Sequence, residues 1–439
     1  MGSRRIQAVI LEAAVHIVAH HTAAGQYTVR IRVLLPDIHE ALAEIRLGEH
    51  IIGLIGSVKS LSEARFKYVG GVEWRIKSIN LHIPTSFHTF YFFQGLLSNS
   101  KEGHGKSLLQ QKKEPAISEQ INFHKETEKK GGGIVTVTVN PALDMSTAVA
   151  QVIADRKLRC NAPVYEPGGG GVNVSRAINR MGGSSEALYS AGGREGKRLA
   201  GLLDDEDIAH RAVEIAGQTR VNITVQESSS DRQYRFGMPG PLMHEREWME
   251  LLERIGERLP SNGFVVASGS LAPGVPDDFY ARIARILHGT GTKFVLDTSG
   301  NPLLRAAGEG VYLLKPNMRE FQELVQREIT DEREQEQEAY DLVRRGACEV
   351  LVLSLGNAGV LLATEDGVRR LRAPSVPVRS KVGAGDSMVG GLVLGLHMAM
   401  PLEDSVRLGI AAGAAAVMTP GTELCRREDV FRLFEQLHS

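Results

Sequence analysis

From Ile134 onward, short β-branched runs alternate with longer amphipathic stretches, and this pattern narrows the possible folds more than any other feature. The apolar runs are 134–140, 187–191, 264–268, 294–298, 312–314 and 350–354. Between them, stretches such as 172–181, 244–259, 277–287 and 333–345 place apolar residues at helical spacing. Strands that are apolar throughout and separated by helices predict a parallel sheet covered on both faces. The expected class is therefore α/β, a doubly wound and mostly parallel sheet flanked by helices. Ligands of such sheets bind beyond the carboxyl ends of the strands. Residues 157–166 and 220–236 break the alternation and read as short β pieces beside the sheet. They predict a small β lid, near 150–166 and 218–240, that covers a substrate and excludes water. An ordinary edge sheet is the plainer reading.

The first 133 residues are different material. They hold 17 Lys and Arg against 12 Asp and Glu, with nine of the 14 histidines, while the whole chain of 439 residues carries 51 against 52. Such asymmetry predicts two parts with separate organisation. Residues 98–133 are polar and charged and end in three glycines, as a flexible linker would. Before them, 8–20 and the stretch from Ile38 to Ile45 read as helices, the second capped by Asp37. Tyr27–Leu35 alternates like a strand, and 72–76 and 79–83 alternate out of phase, like a bulged one. The expected domains are thus 1–97, 98–133 as linker, and 134–439. Two readings of 1–97 stay open. It is an extension without function of its own, including upstream sequence translated ahead of the true start, or an accessory α+β unit.

Composition excludes several classes. The near balance of charge argues against a dedicated nucleic-acid binder. No apolar run approaches the roughly 18–20 residues that span a bilayer. Glu12 and His16 interrupt any export signal after Arg4 and Arg5, and Ile6 stands where a myristoylation signal wants Ser or Thr. Cys160, Cys348 and Cys425 have no metal-ligand spacing and fit a reducing cytoplasm.

Val382-Gly-Ala-Gly-Asp386 precedes a small-residue helix. Gly383 and Gly385 permit tight turns, and the amides of a helix start form an anion site. Asp386 there reads either as a base for a hydroxyl attacking a phosphoryl group or as an N-cap. Glu166-Pro-Gly-Gly-Gly-Gly171-Val-Asn173 lets a ligand approach the backbone, with Asn173 able to read sugar hydroxyls. Its spacing is not Gly-x-Gly-x-x-Gly, and no acidic residue ends a strand about 20 residues on, which excludes a dinucleotide-dependent dehydrogenase. Asn140-Pro-Ala-Leu-Asp144 puts a carboxylate at the sheet's rim, or a turn cap. Lys315-Pro-Asn317-Met-Arg-Glu320 offers a lysine for phosphate and an Asn/Glu pair for hydrated magnesium, or simply a solvated surface. Ser354-Leu-Gly356-Asn357-Ala-Gly359 and the loop from Ser268 through Ser270 to Gly274 are further strand-end turns.

In this order and combination, NPALD, KLRC, PGGGGVN, GSLAPG, KPNMRE, SLGNAG and VGAGD resemble the PfkB-type carbohydrate kinases of the ribokinase superfamily. The resemblance covers 134–439 and is closest to the branch that phosphorylates fructose 6-phosphate. It implies a ribokinase-like domain with a β lid, a homodimer through that lid, and ATP with magnesium converting fructose 6-phosphate to fructose 1,6-bisphosphate. The rival substrates are those of 1-phosphofructokinase and tagatose-6-phosphate kinase; a non-catalytic sugar-phosphate sensor is a more distant alternative. By the resemblance, Asp386 is the base for the C1 hydroxyl, and the amides of Gly383, Ala384 and Gly385 form the anion hole. Asp144, Gly169, Gly170 and Asn173 contact sugar hydroxyls. Lys157, Arg220 and Ser270 lie on the substrate side, the first two on lid strands, where positive charge suits a phosphorylated sugar. Lys315, Asn317, Ser354, Gly356 and Gly359 fall on the nucleotide side, and Asn317 with Glu320 holds magnesium through water. One departure is Lys381, where the family has a small hydroxyl residue beside a monovalent-cation site. A lysine ammonium there would replace or repel that cation. No nucleic-acid or membrane partner is expected.

Overall fold

The computed structural model describes residues 133–439 except 258, 261 and 439, and, before them, only a set of short strands. The chain divides into two compact units, Met1–Lys112 and Lys113–Ser439. In the first, Ala14–His21, Tyr27–Leu35 and Ile38–Leu47 pair antiparallel in that order. The stretch from Ile38, expected as a helix, is thus a strand, and so is the described part of 8–20. Ala41, Ala43, Ile45 and Leu47 form a period-2 stripe that suits pairing beside Tyr27–Leu35 better than a helical face. Residues 99–132, where most of the linker was expected, lie outside the described residues.

The second unit carries the alternation read from the sequence. Strand β1 (Ile134–Thr138) is followed by the lid strands β2 (Ala142–Val149) and β3 (Val164–Gly168). Then come α1 (Gly170–Arg180), β4 (Glu186–Ala191), α2 (Gly193–Asp205) and β5 (Ala209–Glu214). The lid resumes with β6 (Arg220–Glu227) and β7 (Arg232–Phe236). After α3 (Glu245–Glu257) follow β8 (Phe264–Ser268), α4 (Phe279–Leu287), β9 (Lys293–Asp297), α5 (Gly300–Ala306) and β10 (Leu313–Leu314). Next are α6 (Met318–Val325), α7 (Glu332–Arg344), β11 (Val350–Ser354), β12 (Val360–Thr364) and β13 (Gly367–Leu371). Helices α8 (Ala384–His397), α9 (Leu402–Val417) and α10 (Arg427–Gln436) complete the unit.

The main sheet has nine strands in the order β5-β4-β1-β8-β9-β10-β11-β12-β13. All neighbours are parallel except the last two pairs. Because side chains alternate across a strand, Val265, Leu314 and Leu351 face one layer and Val266, Leu313 and Val352 the other. The first layer packs Trp248, Phe279, Leu303, Phe321 and Leu342, so helices α3–α7 cover it. Ile178, Leu392, Ala412 and Phe434 cover the second, from α1, α8, α9 and α10. No helix among the described residues is long and apolar enough to cross a membrane.

A separate four-stranded sheet, ordered β3-β2-β6-β7, forms the lid. Its extent differs from the expectation in one respect. The NPALD segment runs on into lid strand β2, whereas of 157–166, expected as a β piece, only the part from Val164 is strand. Pro163 lacks an amide donor for a ladder, and the strand begins directly after it.

Candidate active site

Helix α1 begins where Gly169 adopts a φ of 109°, a conformation that strains residues with a side chain. Gly169 cannot cap the helix, so the Thr138 hydroxyl at the end of β1 accepts the Val172 amide at 2.7 Å. Gly170 lies against Ser268 and Gly269, where a Cβ would come within 2.3 Å of Ser268 Oγ. These contacts draw α1 onto the carboxyl ends of β1 and β8. Helix α8 begins at Gly383 with a φ of 72°. Its backbone ladder includes the Ser387 amide donating to the Gly383 carbonyl at 2.8 Å, so the amides of Ala384, Gly385 and Asp386 have no intrahelical acceptor. They make an anion site reinforced by the helix dipole.

Asp386 does not cap α8. Its Oδ2 accepts from Asn173 Nδ2 at 2.9 Å and its Oδ1 from Ser268 Oγ at 3.4 Å. Burial raises its pKa to about 6, helped by the Asp297 charge and opposed by Asn173, Lys315 and Ser268. The close approach of Gly390 on α8 to Ala177 on α1 allows this contact, because a Cβ there would sit 3.0 Å from that of Ala177.

Lys315, placed after β10, is buried with Nζ 3.2 Å from Asp297 Oδ1. A Cβ on Gly385 would lie 3.8 Å from the same ammonium, so Lys315 borders the first turn of α8. Burial works against its charge, but Asp297, Glu320 and Asp386 outweigh that and hold it above the ordinary lysine value. Asp297 is a site residue that sequence reasoning missed. It belongs to no motif, and its one clue was its position at the carboxyl end of a strand.

Asn317 and Glu320 form a capping box at the start of α6. Asn317 Oδ1 accepts the Glu320 amide at 3.0 Å, and Glu320 Oε2 accepts the Asn317 amide at 2.8 Å. Burial raises the Glu320 pKa, the Asn317 amide opposes this, and the Asp297 charge raises it further. Ser354 pairs with Asn317 in an isolated parallel bridge, and its hydroxyl donates to the Pro316 carbonyl at 3.3 Å. The turns after β10 and β11 therefore lie side by side. Gly356 opens the 3-10 turn after β11. Gly359 is accounted for by packing, since a Cβ there would meet the Leu371 carbonyl at 2.0 Å.

On the lid, Asp144 lies on β2 over Gly168, with Oδ1 accepting from Asn222 Nδ2 at 2.9 Å. Burial raises its pKa, against Asn222 and the charges of Arg220 and Arg176. Arg220 begins β6, and three of its five N–H groups donate to the carbonyls of Asn140, Pro141 and Met238. It clamps lid to sheet and contributes charge beside Asp144. Ser270 is exposed, and its hydroxyl accepts from Asn140 at 3.3 Å. Asn140 Oδ1 is buried against Gly240, with no donor among the described residues. Lys157 is not on a lid strand: it is exposed between β2 and β3 and is not brought to this cluster by any hydrogen bond or ion pair among the described residues. Lys381 is exposed beside Ser380, whose hydroxyl donates to the Gly421 carbonyl at 2.6 Å.

A family profile described as "pfkB family carbohydrate kinase" matches residues 139–429. The chain belongs to the pfkB family of carbohydrate kinases. This kinase is 47% identical over 302 residues to an ATP-dependent 6-phosphofructokinase isozyme 2 of Mycobacterium tuberculosis, covering 69% of this chain and 89% of that protein. It is 32% identical to a 1-phosphofructokinase of Bacillus subtilis, covering 66% of this chain and 95% of the relative. Among solved structures, phosphofructokinase-2 from Escherichia coli in complex with potassium superposes with a TM-score of 0.68 at 40% identity, covering 70% of this chain and all of that one. The kinase thus has the ribokinase-like sheet and lid expected from its sequence.

Proposed function

We propose that this chain is an ATP-dependent 6-phosphofructokinase, which transfers the γ-phosphoryl group of ATP to the C1 hydroxyl of fructose 6-phosphate. The observation that carries the reading is the setting of Asp386. Its carboxyl has its acidity weakened to about 6, is oriented by Asn173 and Ser268, and stands in the first turn of α8 beside Lys315. Such a group is ionised at neutral pH yet is a stronger base than an ordinary aspartate. In the reaction Asp386 takes the C1 hydroxyl proton, and the sugar oxygen bonds to the γ-phosphorus. The bond to the bridging oxygen breaks and ADP leaves. The amides of Ala384 and Gly385 and the Lys315 ammonium offset the charge on the transferring group. The substrate comes from the relatives named above, one of whose solved structures is phosphofructokinase-2 in complex with fructose-6-phosphate.

Magnesium fits the residues present. Asp297 and Glu320 are hard oxygen donors, and the charge of the first raises the pKa of the second, a repulsion that a divalent cation relieves. Asn317 contributes by locking Glu320 in its capping box. When bound with ATP, the ion supplies charge neutralisation at the phosphates. Cys160, Cys348 and Cys425 are all free thiols, as suits a cytoplasmic enzyme.

The lid also supports the reading of a homodimer. Its register aligns Met145 with Tyr165 on one side and Ile223 on the other, and Ile223 with Phe236. Val225 and Tyr234 extend this apolar face, opposite to that of Asp144 and Asn222, and Phe236 is 51% exposed. Replacing Ile223 with Asp is expected to leave a monomer by light scattering; a persisting dimer would place the interface elsewhere.

The reading is tested by coupled ADP release with magnesium-ATP and, in turn, fructose 6-phosphate, tagatose 6-phosphate and fructose 1-phosphate. The highest kcat/KM is expected for fructose 6-phosphate. After correction for ionisation of the sugar phosphate, its acid limb should sit near 6, with about a tenfold fall per pH unit below it. Preference for another sugar phosphate would change the substrate and leave the kinase; no ADP release with any would refute the proposal.

A further inference from the structure

Behind the base lies a buried cation for which the reaction above has no role. Arg176, on α1, is 1% exposed. Its Nε and one terminal nitrogen donate to both oxygens of Glu206 at 2.8 and 2.6 Å. Its other terminal nitrogen donates to the Pro167 carbonyl at 2.9 Å and reaches Asn173 Oδ1 at 3.4 Å. Glu166 approaches it at 3.3 Å and also accepts from the Thr422 hydroxyl. A bidentate pair of this kind fixes a guanidinium in position and plane.

We infer that Arg176 is a positioning residue for the kinase reaction, setting the carboxamide of Asn173 so that its amino group, and not its oxygen, faces Asp386. The argument is one of donors and acceptors. A carboxamide presents an oxygen at one end and an amino group at the other, and either rotamer fits the same space. Arg176 has only donors to offer, so Asn173 Oδ1 turns towards it and Nδ2 is left for the carboxylate. The reversed amide would set oxygen against oxygen at Asp386 and two donors against each other at Arg176. Burial in α1 separates this pair from water that could stabilise the reversed form.

Arg176 acts on Asp386 through Asn173. The charges acting directly on Asp386 are Asp297 at the end of β9 and Lys315 after β10, with Ser268 at the end of β8 as its other hydrogen-bond donor. Around Arg176 itself stand Glu166, Glu206 and Asp144, and its charge also favours the ionised form of Asp144. One buried guanidinium thereby serves both the sugar-side carboxylate and the base. The inference rests on the reading of Asp386 as that base.

The test compares wild type with Arg176→Met combined with Glu206→Gln, which leaves no unpaired carboxylate at residue 206, and with Arg176→Lys, which keeps the charge but loses the fork. Two readouts are taken on protein whose unfolding remains cooperative. The first is the pH dependence of kcat/KM for fructose 6-phosphate. Its acid limb should rise by about half a pH unit, about a threefold loss of rate on that limb, in either variant. The second is the Asn173 side-chain amide resonance in 15N-labelled protein, assigned by its loss in Asn173→Ala. It should shift or broaden in either variant while that of Asn317 stays in place. In an Asn173→Ala background, changing Arg176 should move the acid limb no further. An unmoved limb and an unmoved amide resonance in folded variants would overturn the proposal. A wild type that releases no ADP would instead overturn the kinase reading, and the amide resonance would still decide the role of Arg176.

Discussion

Replacing Asp386 with Asn is expected to lower kcat by about 10³-fold or more, within the range for loss of a positioned general base together with its charge. The KM for fructose 6-phosphate should change far less, because Asp144 and Ser270, the groups expected to meet the sugar, lie on β2 and on the loop after β8, not on α8. Isothermal titration of the sugar phosphate with the variant separates the two effects. Turnover at the wild-type rate would remove Asp386 from its role as base.

The same variant should be more stable than wild type at pH 7 and above. Asp386 has a pKa raised to about 6 in the fold, against 3.8 as an unperturbed group. The native state therefore holds a proton more tightly than the unfolded chain. The stability linked to that proton is complete below the unfolded value and is lost as pH rises through about 6. Wild type at neutral pH thus carries a desolvated charge that asparagine lacks, a cost of about 1–3 kcal/mol. Denaturant unfolding should show the gap at pH 7.5 and its closure as pH falls from 6 towards 4. A gap independent of pH would mean the carboxyl is not perturbed in the fold.

The sheet was legible because its strands are apolar on both faces. Val265-Val266, Leu313-Leu314 and Leu351-Val352 each send one side chain to either helical layer, and their alternation with helical stretches marks a parallel sheet. The lid was harder to read. Ala142–Val149 carries Asp144, Ser146 and Thr147 among its apolar residues, so its start looked like a turn after β1. Conversely, 157–163 looked like a strand and is irregular. A lid strand's residues are half-buried, so their pattern constrains less than that of a core strand.

In the site, glycine-rich turns betrayed Asp386 and Asn173, because few other local structures need so many small residues before a helix. Residues whose role comes from pairing across the fold gave no such clue. Asp297 becomes meaningful only when β9 and β10 lie side by side and bring it to Lys315. Arg176 and Glu206 are separated by a strand and a helix, and nothing local predicts their bidentate pair. Asn317 and Glu320 were both a cap and a functional pair, and the spacing of three residues serves either use.

Replacing Lys315 with Met should be the most damaging change on the nucleotide side. Lys315 is the ammonium among Asp297, Glu320 and Asp386, and each of those carboxylates holds it in its charged form. Its folded pKa is raised, so its contribution to stability is fully present at neutral pH and fades only as pH climbs through that raised value. Methionine fills the volume but leaves the half-buried Asp297 carboxylate opposite no positive charge. That loss should cost about 3–5 kcal/mol in denaturant unfolding at pH 7.5. Activity should fall by about 10²–10³-fold in kcat, the size seen when one preorganised group opposite developing charge is removed. The remaining activity should have its acid limb shifted upward, since Lys315 is one of the groups that hold the Asp386 pKa down. Adding Asp297→Asn measures the structural share of that loss, and it is read on stability because Asp297 is also a proposed magnesium donor. Neutralising both partners of a buried pair is far less costly than stranding one, so the double variant should recover most of the stability and none of the turnover. Recovery of turnover along with stability would remove both Lys315 and Asp297 from the chemistry and leave them a pair that only holds the fold.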